Sequence, residues 1–161
     1  MSKKFEIEFT GDLSQALAFD ENKFMHAVET KMAWLFDKLQ TKIVNQKLGG
    51  EVLNRRSGLL AESVSDPEVV TEGTTVTGSL TAAGGNAFYG QIHEKGGSRI
   101  YGIRVVDKKA LRMMIEGKEV FRKMVTHAPL PQRAWFDPAV EEMKNEFVEG
   151  LREAVIGGIS K

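Results

Sequence analysis

The chain has 161 residues, 42% of them hydrophobic and 27% charged. This is the size and balance of one globular domain that can bury about two-thirds of its unfolded surface. The absence of cysteine excludes disulfides, zinc–thiolate sites, iron–sulfur clusters and thiol nucleophiles. Lys plus Arg and Asp plus Glu both number 22, so there is no basic surplus of the kind that grips nucleic-acid phosphates, and self-repulsion between copies is weak.

The first element is a strand. Phe5, Ile7 and Phe9 alternate with Glu6, Glu8 and Thr10, the period of a half-buried strand and not of a signal peptide. Gly11-Asp12 ends it, and a short helical pattern follows over residues 13–17. No apolar stretch approaches the ~18 residues a membrane span requires, and the chain is expected to reside in a cytoplasm. From Asp20, the positions Phe24, Val28, Met32, Leu35, Phe36, Leu39, Ile43 and Leu48 form one apolar stripe on a long helix. Asp20 or Asn22 caps its start, and Gly49-Gly50 stops it.

Asn54-Arg55-Arg56 reads as a basic loop, and Ser57 as the cap of a short helix broken at Asp66-Pro67. Residues 68–71 and 74–81 are β-rich and meet at Glu72-Gly73, a hairpin signal. Ala82-Ala83-Gly84-Gly85 is a joint, Asn86 caps a brief helix over residues 87–94, and Gly96-Gly97 stops it. Ile100, Gly102, Arg104 and Val106 begin an extended stretch. Residues 110–115 and 119–125 read as a second hairpin around Glu116-Gly117-Lys118, although Leu111, Met114 and Ile115 would also suit a helix. Pro129, Pro131 and Pro138 mark the last loop. Asp137 is the expected cap of the final helix, with Pro138 at its first position and Val140, Met143, Phe147, Leu151 and Val155 as its apolar stripe. Gly157-Gly158 are expected to end it. No repeat or linker divides the chain. The expected fold is α+β, a single domain over residues 1–161 in which an antiparallel sheet with hairpins packs against a long N-terminal helix and a C-terminal helix.

Residues suited to chemistry are sparse. His26, His93 and His127 lack the spacing that would put two imidazoles on one metal. No Gly-x-Ser-x-Gly elbow or phosphate-binding glycine loop is present. His93-Glu94 beside Tyr89 is the one cluster that resembles an acid–base site, against a plain reading as a helix end. No catalytic residue, metal or cofactor is therefore expected. The basic pairs Arg55-Arg56, Lys108-Lys109 and Arg122-Lys123 read as solvated faces before they read as nucleic-acid contacts. Trp135-Phe136 is either a core anchor for the last helix or an exposed protein-binding anchor.

Taken in order, several segments resemble the tail-completion or head–tail joining proteins of tailed bacteriophages, the virion morphogenesis or minor tail proteins. They are Ser57-Gly58-Leu59-Leu60-Ala61-Glu62-Ser63, Tyr89-Gly90-Gln91-Ile92-His93-Glu94-Lys95-Gly96, Leu111-Arg112 before a hairpin, and Pro131-Gln132-Arg133-Ala134-Trp135-Phe136-Asp137-Pro138. Gly90 stands where the family usually has alanine, and Ala134-Trp135 replaces a Pro-Phe step. The resemblance implies a structural, non-enzymatic protein of the virion neck, assembled in the host cytoplasm. It further implies self-association into a ring, commonly sixfold, between the head connector and a tail-terminator or tail-tube protein, with genomic DNA passing through the lumen without specific binding. Partner contacts are expected at Arg55, Arg56, Lys95, Arg99, Arg133 and Trp135. The segment between Gly84-Gly85 and Gly96-Gly97 is expected to order only when a neighbour docks. The alternative is a small nucleic-acid-binding or metal-dependent enzyme module using His93, Glu94 and the Arg55-Arg56 loop.

Overall fold

The structure, a computed structural model, describes residues 2–10, 21–54, 57–97, 101–104, 109–127 and 129–159. The helical pattern at 13–17, the Arg55-Arg56 loop and Arg99 lie outside the described residues. Strand β1 (Lys3–Thr10) turns Phe5, Ile7 and Phe9 inward and Lys4, Glu6 and Glu8 outward, as its alternation requires. Strands β2 (Glu68–Glu72) and β3 (Thr75–Ala82) form the first hairpin. β1 adds antiparallel to the other side of β3, with Phe5 opposite Leu80 and Phe9 opposite Val76, so the order is β1-β3-β2.

Helix α1 (Glu21–Thr41) lies across the inner face of this sheet. Its stripe is buried as the periodicity predicts: Phe24, Val28, Met32, Leu35, Phe36 and Leu39 all lie in the core. The helix then widens into a π-helical stretch, Lys42–Glu51, where Ile43 and Leu48 face the core five residues apart, and Gly50 at φ +134° breaks the helical path where Gly49-Gly50 were expected to stop it. A five-residue step does not fit an α-helix and fits the wider turn. The wider turn also carries Lys47 inward, where it is buried and bonds Glu142 at 2.7 Å and Glu51 at 2.6 Å. The hydrogen bonds it donates to Glu142 and then Glu51 hold the ammonium above its usual pKa despite burial. In turn, bonds from Lys42 and Lys47 hold the Glu142 carboxyl below the usual range.

Helix α4 (Asp137–Ile159) runs antiparallel to α1. Lys31–Glu153 and Lys38–Glu146 bridge the two, and Gly150 sits against Lys31 and Leu35. The expected stop at Gly157-Gly158 does not occur. There Gly158 lies against Phe24, so the glycine allows a close helix–helix approach and the helix continues past it. Its start also differs by one residue: the Val140 N–H bonds the Phe136 carbonyl, which makes Asp137 the first helical residue and not the cap. Phe5 of β1, Phe36 of α1 and Phe147 of α4 meet in one aromatic cluster, with ring centroids 5.2–5.6 Å apart.

The remaining β structure forms two separate ladders and does not extend the first sheet. β4 (Tyr101–Arg104) pairs with β7 (Met124–His127), and β5 (Leu111–Ile115) pairs with β6 (Lys118–Arg122). The single strand expected over residues 119–125 is divided at Lys123 between β6 and β7. The β5–β6 turn places Glu116 at φ +51° and Gly117 at φ +77°, the left-handed pair that a two-residue hairpin loop demands.

Gly78 of β3 is where the helix layer meets the sheet. A Cβ there would lie 2.3 Å from Phe36 Cε2 and 2.9 Å from Met32 Sδ. Alanine is ordinarily better than glycine in a strand by about 0.5–1 kcal/mol. At this position the overpacking reverses the sign, because the Phe36 ring is itself held by Phe5 and Phe147. Gly78→Ala is expected to lower unfolding stability by about 1–3 kcal/mol in urea titration; an unchanged or raised midpoint would show that the ring yields.

Candidate functional site

Three of the sequence segments singled out above, far apart along the chain, converge on one junction. The first, residues 57–63, turns into the short helix α2 (Leu59–Glu62). The residue before the helix is Gly58 at φ +82°, a left-handed position suited to glycine, so Ser57 is not the cap. The serine that acts is Ser63, whose hydroxyl bonds the Leu60 carbonyl at 2.6 Å and accepts the Ala83 N–H at 3.2 Å. This fixes α2 to the end of β3.

The second segment is helix α3 (Tyr89–Lys95), preceded by a 3-10 turn at Gly85–Ala87 that contains Asn86 and is not capped by it. The third is the proline loop that leads into α4. The Gly97 N–H bonds Leu130 O at 2.9 Å, and the Arg133 N–H bonds His93 O at 2.7 Å. The Gln132 amide donates to Glu94 O at 3.0 Å, and the Trp135 indole N–H to Gly90 O at 3.0 Å.

Glu94 is the centre. Its side chain is 1% exposed, and it reaches the amino end of α4. Oε2 accepts the N–H groups of Trp135 and Phe136 at 2.8 and 2.9 Å, and Oε1 accepts that of Asp137 at 2.9 Å. A helix start presents unpaired N–H groups and partial positive charge, which suits a buried carboxylate. Lys3 Nζ lies 4.0 Å from Oε1 and bonds both Asp137 oxygens at 2.6–2.7 Å, which ties β1 to the same point. The cap of α4 is thus supplied by a residue of another helix, while Asp137, the cap expected from local sequence, is held by Lys3.

Gly90 is explained by the same packing. A Cβ there would fall 2.4 Å from Leu60 Cδ1, 3.0 Å from Ala83 Cβ and 3.2 Å from Trp135 Cζ2. Trp135 is 0% exposed. This corrects its expectation as a partner-contact residue: within the chain it is a core anchor, because its ring fills the space beside Gly90. The segment between the glycine pairs is likewise already helical in the single chain, since Glu94 fastens it to the α4 start. Of the other expected contact residues, Lys95 and Arg133 are exposed.

Beside the junction is a cavity of about 440 Å³, walled by Leu48, Leu53, Leu60 and Leu130 and rimmed by Tyr89, His93 and Arg133. The His93 ring stands edge-on to Tyr89, and its Nδ1 is buried with no hydrogen-bond partner among the described residues. Apolar walls with one unsatisfied nitrogen and one guanidinium suit an apolar side chain or ligand that carries an acceptor group. Among the described residues, no group of three or more His, Asp or Glu is placed to hold a metal ion, and no helix is long and apolar enough to cross a membrane.

His93 and Glu94 are adjacent in sequence but do not act as a pair. The Glu94 oxygens face the α4 N–H groups, and His93 faces the cavity. Sequence reasoning named Glu94 for chemistry; no local signal gives its actual role, because its partners lie 41–43 residues further along the chain. Compared with known proteins, the chain matches no family model, no curated protein and no solved structure.

Two outcomes follow from this geometry. Glu94→Gln keeps the shape but sets an amide N–H₂ against a backbone N–H, and is expected to lower stability by about 2–3 kcal/mol. The exposed control Glu149→Gln should change it by less than about 0.5 kcal/mol in the same urea titration. The second outcome concerns His93, whose pKa is held below its ordinary 6.5 by burial and then by Arg133. The unfolded chain therefore binds the proton first as pH falls, and the His93 contribution is complete above 6.5 and lost below it. His93→Gln should flatten the fall in stability as pH drops below about 6.5; an unchanged slope would sink the assignment.

Proposed function

We propose that the chain is a structural virion assembly protein of the neck of a tailed phage, which completes the tail and joins it to the head connector as part of a ring. The observation that carries this reading is the convergence of three of the four segments on which the family resemblance rests. Leu60 of the first and Trp135 of the third both pack beside Gly90 of the second, and Glu94 locks the last two together. Residues that share a packing junction have a physical reason to occur together in that order. The departure at Gly90 is part of the same junction, because the larger Trp135 stands where the family has a Pro-Phe step.

The alternative, a nucleic-acid-binding or metal-dependent module using His93, Glu94 and the Arg55-Arg56 loop, has less support. The Glu94 carboxylate is buried against three N–H groups and is turned away from the cavity that His93 lines. A general base needs free lone pairs within reach of a substrate proton. The proposed location is the virion, after assembly in the host cytoplasm, with self-association and contacts to connector and tail-tube or terminator proteins.

A phage lacking this chain should accumulate filled heads and finished tails that fail to join, counted by electron microscopy, and adding the purified chain to the extract should restore joined particles. Normal infectious particles from the deletion would overturn the reading.

A further inference from the structure

We propose that the β5–β6 hairpin of one copy docks on the outer face of the β1-β3-β2 sheet of a second copy, linking chains head to tail. This deepens the neck-ring reading and rests on it only for the closing of the ring.

The hairpin is a two-stranded ribbon whose ladder pairing is confined to its own strands. Such a ribbon is marginal in water by itself. By the register, Leu111, Met113, Ile115 and Val120 share one face, on which Ile115 is 46% exposed, while Met114 and Phe121 point to the other. Apolar side chains clustered on an exposed ribbon mark an interaction site. Lys118 and Arg122 lie on the same face as Ile115, while Glu119 lies on the other, where it accepts a hydrogen bond from Arg112, so the first face is basic as well as apolar.

The sheet has the opposite character. Its inner face is covered by α1 and α4, and its outer face carries Glu6, Glu8, Glu68 and Glu72 against Lys4 alone. A shallow depression of about 290 Å³ crosses this face, with Val70, 43% exposed, among its lining. This face of the hairpin bears two positive charges and the outer sheet face a surplus of three negative charges, each beside an exposed apolar group. A second copy of this chain therefore offers each surface its complement.

The two surfaces differ, so the contact is heterologous. Every copy keeps one free hairpin and one free sheet face, which gives rings where the rotation closes. A ribbon with five-residue strands buries less than the ~800 Å² per partner of a standard stable pair. Each link is therefore weak, and assembly depends on concentration and on cooperative closure.

Sedimentation velocity of the full chain tests this. The parent is expected to self-associate with rising concentration at low salt and to dissociate as salt screens the contact. K118E/R122E reverses the hairpin and E68K/E72K makes the sheet face basic; each variant alone is expected to be monomeric, with circular dichroism unchanged. Mixed one to one, the variants should recover association with both in equal amounts, because each supplies the surface the other now requires. Ile115→Ala, which alters no charge and lies on the same face as Lys118 and Arg122, is expected to weaken association about tenfold. A parent that stays monomeric, variants that associate as the parent does, or a folded mixture that stays monomeric would overturn the proposal. These results are independent of the head–tail joining assay: a chain that restores joining but lacks this contact sinks the interface and leaves the neck reading standing.

Discussion

A buried carboxylate needs its negative charge met from all sides, and Glu94 obtains this from the first N–H groups at the amino end of α4. The requirement is mutual, since a helix start that is partly buried by Trp135 and Phe136 has N–H groups that water cannot reach. Neither α3 nor the proline loop has a large core of its own. Their position follows from this exchange, and with it the placement of Trp135 against Gly90 and Leu60. Lys3 extends the junction to β1, so the first strand also meets the point where α4 begins.

Close to that point a second ionic contact acts on α4. Glu142 receives Lys42 and Lys47 from the π-helical stretch, and Lys47 is buried while doing so. The start of α4 is thus fastened by Glu94 from α3 and by two lysines from the end of α1. Between these contacts and the far end of the helix pair, packing takes over. Gly78, Gly150 and Gly158 let α1 approach the sheet and α4, and Phe5, Phe36 and Phe147 fill the space where the three layers meet. The polar contacts fix where the elements sit, and the apolar ones supply most of the driving force.

This division leaves the surfaces distinct in character. The helices cover one face of the three-stranded sheet, the opposite face is acidic, and the β5–β6 ribbon is basic and apolar. The residues that the sequence offered for acid–base chemistry serve the interior or line a cavity of mixed polar and apolar walls. Such an arrangement suits a protein whose work is done by contact between surfaces, which is the sense in which it supports an assembly role.

The elements were legible in the sequence where their signals were local. Alternation at Phe5, Ile7 and Phe9, the apolar stripes of α1 and α4, and the hairpin turns at Gly73 and Glu116-Gly117 all depend on neighbours a few residues away, and each element formed where its period required. Signals with a distant partner misled. Asp137 has the local form of a cap, yet Glu94, far away in sequence, occupies that role. Gly157-Gly158 have the form of a stop, yet Phe24 makes Gly158 a contact surface. Ile43 and Leu48 carried the sign of a widened turn in their five-residue spacing, but only the burial of Lys47 against Glu142 gave it meaning. The sequence by itself determined which segments are helix or strand, since those depend on periods of two and 3.6 residues. Only the tertiary structure decided that Glu94 is a structural carboxylate and Trp135 a core residue, because both roles depend on the charge and volume of groups that folding alone brings within reach.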